Sequence, residues 1–358
     1  MKVINGYVFW VVASAILLVL VGFVGLDLVF RLIDETDNIA GNYHLGNVII
    51  YELMRTPARF YDVMPIAGLI GCLAGLGSLA NTSELVVMRS AGISVISLVK
   101  VAIRPALIFM LMGAVVGEYV APKAEQVAYS YRSNLVNKNA GLDVDHGLWL
   151  RDGSNFVFVN VVQPNGVMYG LHIFEFDGSN LLQTLRKAKR ATFDGDTWLL
   201  EDVAITRFVS EAGIPQAVTS NNAALFRWQT SIRPELLNIA VVSPDDLQLT
   251  ALWQYIGYLK QQNLNSVEFE LAFWEKVFYP LVMISLVLVG ISFVFGPLRQ
   301  VTMGYRVFWG VIIGILFKTL QDTLGPVSIV FGFSPMIAML VPALLCGVIG
   351  IVLLLRVR

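Results

Sequence analysis

The three histidines, His44, His146 and His172, stand far apart, and no H-E-x-x-H, G-x-S-x-G or C-x-x-C occurs in the chain. Metal-assisted and nucleophilic chemistry therefore have no motif to rest on, and each histidine reads as a surface or strand residue. No Gly-Lys pair exists either, which excludes a G-x-x-x-x-G-K-[ST] phosphate loop and assigns any ATP-driven work to another subunit. The informative ionisable residues are Asp27, Glu118, Lys318 and Asp322, each embedded in apolar sequence. A charge at membrane depth is costly and usually faces a cavity or a partner. Lys318 and Asp322 stand four apart, the spacing of a helical ion pair, so simple pairing is one account of both and a functional role the other.

A second constellation is local. Asn81-Thr82-Ser83-Glu84-Leu85-Val86-Val87-Met88-Arg89-Ser90-Ala91-Gly92 begins with capping residues, places an acid in the first turn and ends on a glycine suited to the left-handed position past a helix. Residues 82–92 are thus predicted to form a short helix along the membrane surface, too short to stand alone. Leu85 and Met88 beside Glu84 and Arg89 have the composition of an anchor that enters another protein's groove. A helix lying on lipid has the same periodicity.

These residues must be positioned by membrane helices. Of 358 residues, 56% are hydrophobic and 14% charged, whereas soluble domains carry about 25% charged residues. A net charge of -1 offers no field for nucleic acid. Six apolar stretches reach the ~20 residues needed to cross ~30 Å of hydrocarbon: residues 8–30, 63–80, 101–120, 277–295, 307–324 and 336–355. The first is too long for a cleavable signal and reads as a retained anchor. Between the third and fourth, residues 122–276 hold 30 of the 51 charged residues, which marks a water-soluble insert. The chain thus divides into 1–121, 122–276 and 277–358.

Lys2, Arg89, Lys100, Arg104, Arg299, Arg306, Arg356 and Arg358 fall on one side of the predicted membrane, with Glu84 the only acid among them, so both termini are expected to be cytoplasmic. Residues 31–62 are expected to form a loop on the other side, where Arg31, Arg55 and Arg59 run against the rule. Cys72 and Cys346 lie inside spans, leaving the insert no disulfide of its own.

Residues 147–228 read as short strands. Trp149, Phe156, Phe158, Phe174, Trp198 and Trp228 sit among β-branched residues, and Asp152-Gly153, Pro164-Asn165-Gly166, Asp177-Gly178 and Asp194-Gly195 supply turns. The insert is therefore predicted to be all-β, a sandwich, barrel or jelly roll, with helical stalks at 121–138 and 245–276. Gly71-x-x-x-Gly75, Gly113-x-x-x-Gly117 and Gly310-x-x-x-Gly314 predict close helix contacts.

The six-span layout with its β insert, Ser83 to Gly92 as spelled above, Gly117-Glu118-Tyr119-Val120-Ala121-Pro122, and Phe295-Gly296-Pro297-Leu298-Arg299 followed by Met303-Gly304 resemble the lipopolysaccharide export permeases, the LptF/LptG family. The Phe-Gly-Pro-Leu-Arg run is closer to the G-type member. The resemblance implies a membrane α-helical bundle of six transmembrane helices with an inserted, all-β, jelly-roll-like periplasmic domain, in the bacterial inner membrane. It implies the permease subunit of an ABC-type transporter, no enzyme itself, which extracts lipopolysaccharide from the outer leaflet. The implied partners are a paralogous LptF-like permease, a dimeric LptB-like ATPase that binds ATP and Mg, a single-span LptC-like subunit and an LptA-like periplasmic bridge. No cofactor is implied in this chain.

Residue by residue, the resemblance makes 82–92 the helix that couples to the ATPase, with Glu84, Leu85, Met88, Arg89 and Gly92 as its contacts. Arg31 and Arg132 stand where the family's phosphate-binding basic residues fall, with Arg55 and Arg59 at similar depth. Leu26, Phe30, Phe317 and Leu324 would line the acyl cavity and lateral gate, together with Lys318, where the family has an aromatic. Two alternatives remain open at this level: an ion-coupled carrier built on the intramembrane charges, and a non-transporting scaffold with a periplasmic binding domain.

Overall fold

The computed structural model describes residues 2–37, 39, 43–136, 147–163, 166–179, 181–211, 214–296 and 301–356. His146, Arg358 and residues 297–299 of the Phe-Gly-Pro-Leu-Arg run lie outside the described residues. The chain forms two compact units: one of Met1–Ile39, His44–Ala128 and Val267–Arg358, the other of Ala40–Tyr43 and Tyr129–Ser266.

The first unit is helical. Its elements are α1 (Lys2–Thr36), α2 (Leu45–Asn81), α3 (Glu84–Ser90) and α4 (Val95–Val115), which runs through a π-helical turn at Val116–Val120 into α5 (Ala121–Val136), of which residues up to Ala128 belong to this unit and the rest to the second. After the insert come α8 (Val267–Phe295), α9 (Met303–Phe331) and α10 (Pro335–Arg356). Among the described residues, six helical stretches are long and apolar enough to cross a membrane.

Because lipid tails are as apolar as leucine, helices in a membrane associate through close packing, and small residues permit it. All three predicted glycine pairs lie at such contacts, and all three involve α2. A Cβ on Gly71 would lie 2.5 Å from the Cα of Ile16, and one on Gly75 3.0 Å from that of Val12, so α1 rests backbone to backbone on α2. Gly310 and Gly314 of α9 lie against Leu73 and Ile66 of α2. Gly113 admits Met64, and Gly117 admits the Tyr61 ring, which stacks on Tyr279 of α8 at 4.2 Å. α2 and α8 are accordingly the most buried of the six.

The loop expected over residues 31–62 is mostly helix. Residues 31–36 and 45–62 are not loop, because α1 runs to Thr36 and α2 begins at Leu45 and passes through Pro57 and Pro65. Hydropathy stops at Arg55, Arg59 and Asp62; the helix continues past them as its polar end.

In the second unit β1 (Leu148–Asp152), β2 (Asn155–Val162), β3 (Met168–Phe176), β4 (Leu182–Phe193), β5 (Trp198–Glu211) and β6 (Ile214–Trp228) form one antiparallel sheet in sequential order. The inserted β unit is therefore present, as an up-and-down meander; the described strands show none of the crossed order of a Greek-key jelly roll. Gly153, Gly166 and Gly195 adopt positive φ at three predicted turns, and the Asp177 carboxylate accepts from the Ser179 and Leu181 amides at the fourth. One face buries Leu150, Val157, Val159, Leu171, Ile173 and Leu200, and Trp198 donates to the Ile232 carbonyl at 2.8 Å.

The predicted second stalk is broken. After α6 (Pro234–Val241), α7 (Leu249–Gln261) ends in a Schellman motif, with Asn263 left-handed at φ 54 and the Leu264 amide on the Leu259 carbonyl, before α8 starts afresh. α7 instead protects a sheet edge. The Tyr258 hydroxyl donates to the Arg151 carbonyl at 2.7 Å and accepts from its amide, and Gln262 Oε1 accepts from the Gly153 amide. These side chains occupy groups that a bare edge strand would offer to another chain.

On the opposite face Trp149, Phe158, His172 and Phe174 form a ring cluster with centroid separations of 5.1 to 6.5 Å. Burial, then the charge of Lys187, pushes the His172 pKa below its ordinary value. The unfolded chain therefore binds the proton more readily, so the neutral ring's contribution is present above the ordinary histidine range and is lost as pH falls through it. Amide protection in β2 and β3, corrected for intrinsic rates, is expected to be greater at about pH 8 than at about pH 5.5, and the difference should shrink in His172→Phe. Equal protection at both pH values in the native chain would remove this role.

Candidate functional site

Among the residues singled out from the sequence, Glu84 to Gly92 follow the C-terminal end of α2, and Arg55 and Arg59 lie toward its N-terminal end. Twenty-two residues separate Arg59 from Asn81, roughly 33 Å of helix at 1.5 Å per residue and close to one hydrocarbon thickness.

At the C-terminal end Ser83 takes a left-handed conformation (φ 61) that turns the chain sharply into α3. Its hydroxyl makes no capping bond, contrary to the reading of 81–83 as caps; instead Thr82 Oγ1 donates to Glu84 Oε1 at 2.9 Å. The Tyr7 hydroxyl of α1 also interacts with the Glu84 carboxylate. The other end follows expectation. Gly92 is left-handed (φ 88), and the amides of Gly92 and Ile93 bond the carbonyls of Arg89 and Met88, a Schellman motif.

The face presented by α3 differs from the one anticipated. Leu85 and Met88 are buried in the bundle's own core, while Val86 and Val87 are 51% and 64% exposed. A helix of seven residues is unstable alone, and Leu85 and Met88 supply the missing packing. Any partner meets Glu84, Val86 and Val87, with Arg89 half-buried at the far turn.

At the opposite end most of the basic residues have carboxylate partners. Arg31 Nε lies 2.7 Å from Asp27, one turn away on α1. Arg55, placed in a loop by the sequence reading, is held on α2 between two almost fully buried carboxylates, Glu125 at 2.9 Å and Glu52 at 3.4 Å, and lies over the Tyr51 ring. That arrangement makes it an internal tie between α2 and α5. Arg59 Nη1 bonds Asp62 at 3.1 Å, yet its buried Nε has no acceptor among the described residues. An unsatisfied buried donor is costly, so Arg59 is the α2 arginine equipped to take a further anion. Arg132 belongs to the second unit.

Lys318 lies 2.9 Å from Asp322 and 3.7 Å from Glu275 of α8, so the pairing account of this residue holds. Phe317 is 5% exposed and packs in the core. Leu26 and Phe30, one turn apart on α1, are exposed, and Leu324 is half-buried.

Two arrangements escaped the sequence reading. Arg306 was counted only as a basic loop residue, but it is buried at the start of α9 and donates to the Gly77 carbonyl at 2.7 Å and Asn81 Oδ1 at 3.0 Å. Its position in a helix's first turn, where a cation opposes the helix dipole, was the available signal. Glu125 falls in the predicted stalk at 121–138, and nothing local in the sequence marks its pairing with a residue 70 positions away.

A six-span bundle with a β unit inserted between its third and fourth spans, a short docked helix after the second and arginines at the opposite end defines a polytopic membrane protein of the permease type. The profile of the lipopolysaccharide export system permease LptF/LptG family matches residues 6–356, and the chain belongs to that family. It is 32% identical over 357 residues to the lipopolysaccharide export system permease protein LptG of Escherichia coli K12, covering 99% of this chain and 98% of the relative. It is 31% identical over 337 residues to the protein of the same name from Haemophilus influenzae Rd, with 93% of each covered.

Proposed function

We propose that this chain is a permease subunit of an ABC-type exporter in the bacterial inner membrane, which takes lipopolysaccharide from the outer leaflet and delivers it to a periplasmic bridge. Both termini and α3 are cytoplasmic, and the β unit is periplasmic. A dimeric ATPase supplies the energy, a second six-span permease completes the cavity, and a single-span subunit regulates it. The observation that carries this reading is α3, seated by Leu85 and Met88 while it presents an acid and two valines at the end of the most buried helix. Closure of the ATPase moves α3, α2 follows, the cavity contracts, and the lipid is expelled toward the β unit.

The cargo carries two phosphates above several acyl chains, and guanidinium groups over an apolar wall match that chemistry. Arg59, with its unsatisfied Nε, and Arg31 are the phosphate contacts, while Leu26 and Phe30 face the acyl chains. An ion-coupled carrier is less well supported, because Asp27, Lys318 and Asp322 are engaged in ion pairs.

The test is co-purification through a tag on this chain, with mass spectrometry of protein and lipid. A soluble ATPase, a second permease and lipopolysaccharide are expected. Arg59→Ala should lower the lipopolysaccharide retained per complex about tenfold, the loss of one hydrogen bond to a charged group. Lys318→Ala should retain a near-native amount, because its charge is already matched by Asp322 and Glu275. Recovery of the chain alone with bulk phospholipid would overturn the reading.

A further inference from the structure

Arg306 sits in the first turn of α9, where the helix dipole disfavours a cation. Its guanidinium instead reaches the C-terminal end of α2, where the dipole favours one. There Nη1 donates to the Gly77 carbonyl and to Asn81 Oδ1, and the residue is 1% exposed. Gly77 makes room for it, since a Cβ there would lie 3.1 Å from Arg306 Cδ. The contact continues a helix interface, in which Gly310 packs on Leu73 and Gly314 on Ile66. On the other side, Asn81 is the last residue of α2, and Thr82 and Ser83 are all that separate it from Glu84.

We infer that Arg306 is a positioning residue that ties the turn before α3 to α9, so that displacement of α3 is delivered to α9 as well as to α2. The inference rests on the reading of α3 as the helix that receives movement from the ATPase. The physical basis is that the α2 end, the Ser83 turn and the α9 start share one buried guanidinium. The other contacts of α9 with α2 described above, Gly310 on Leu73 and Gly314 on Ile66, are apolar and carry no hydrogen bond. Without the guanidinium, α3 and α2 move while α9 lags.

The full complex, reconstituted in nanodiscs, reports ATP hydrolysed and lipopolysaccharide released. Arg306→Met should assemble and hydrolyse ATP but release about tenfold less lipopolysaccharide per ATP, within the range that breaking a coupling contact produces. Arg306→Lys, which keeps a donor and the charge, should recover part of the ratio, and Asn81→Ala should lose part of it. Deuterium uptake at residues 82–92 should rise in Arg306→Met. An unchanged ratio in Arg306→Met overturns the inference, as does a fall in release matched by an equal fall in hydrolysis. Where Arg306→Met fails to assemble, a native ratio in Asn81→Ala and Arg306→Lys overturns it. Failure of the underlying reading is distinguishable, because the unaltered chain would then assemble with no ATPase.

Discussion

Glu84→Arg is expected to abolish export and association with the ATPase while the chain still inserts and folds. Two features separate the charge from the fold. Leu85 and Met88 hold α3 in the bundle's core, and the Schellman motif at Gly92 closes its far end; neither uses the carboxylate. Glu84 itself is at the N-terminus of α3, where a negative charge suits the helix dipole and a positive one opposes it. Reversal costs α3 about 0.3–1 kcal/mol at its N-terminus, leaves the Leu85 and Met88 packing in place, and inverts the charge offered to the partner. Removing one member of a buried interfacial charge pair costs about 2–5 kcal/mol of association, and reversal costs more because the partner's charge is repelled. Glu84→Gln, which keeps the bond from Thr82, should fall between. Val87→Asp should weaken association without disturbing the core, because Val87 is 64% exposed, whereas Leu85→Ala should act by unseating α3. Pull-down of the ATPase with each variant decides the matter, and normal assembly by Glu84→Arg would end the coupling role.

The contrast between Leu85 and Val87 shows where sequence reasoning runs out. The helix, its acidic start and its glycine end were legible, because caps and breakers act within a few residues. Which face turns inward was not: Leu85, Val86, Val87 and Met88 are all apolar, and only the neighbouring helices decide which two they cover. The spans were legible for the same local reason, and hydropathy failed at residues 45–62, where α2 becomes polar without ceasing to be helical.

Charges divide similarly. Lys318 and Asp322 could be paired from their spacing, as they are at 2.9 Å. Arg31, by contrast, was weighed as a phosphate contact while its partner Asp27 was assigned to the intramembrane acids, although the two stand one turn apart. Glu125 and Arg306 act across long chain separations, and the topology had to bring their partners to them. Arg55 is consumed inside the bundle, and Arg59 retains a donor.

Gly71→Val is expected to prevent α1 from docking on α2. The added Cβ would stand 2.5 Å from the Cα and 2.8 Å from the backbone nitrogen of Ile16, so no rotamer change relieves the clash and the helices must separate. Separation is propagated because Gly75 lies one turn further along the same contact, against Val12, and the Val8, Val12, Ile16 and Leu20 side chains are fully buried along this seam. Overpacking in a soluble core costs about 1–3 kcal/mol when side chains can yield; here the obstacle is backbone, and the loss should exceed that range. Gly25→Val is the matched control, since a Cβ there meets nothing within 4 Å. In detergent, Gly71→Val should melt well below the native chain and expose α1 to proteolysis, with Gly25→Val close to native. Equal melting of the two variants would mean that α1 is held by something other than its close approach to α2.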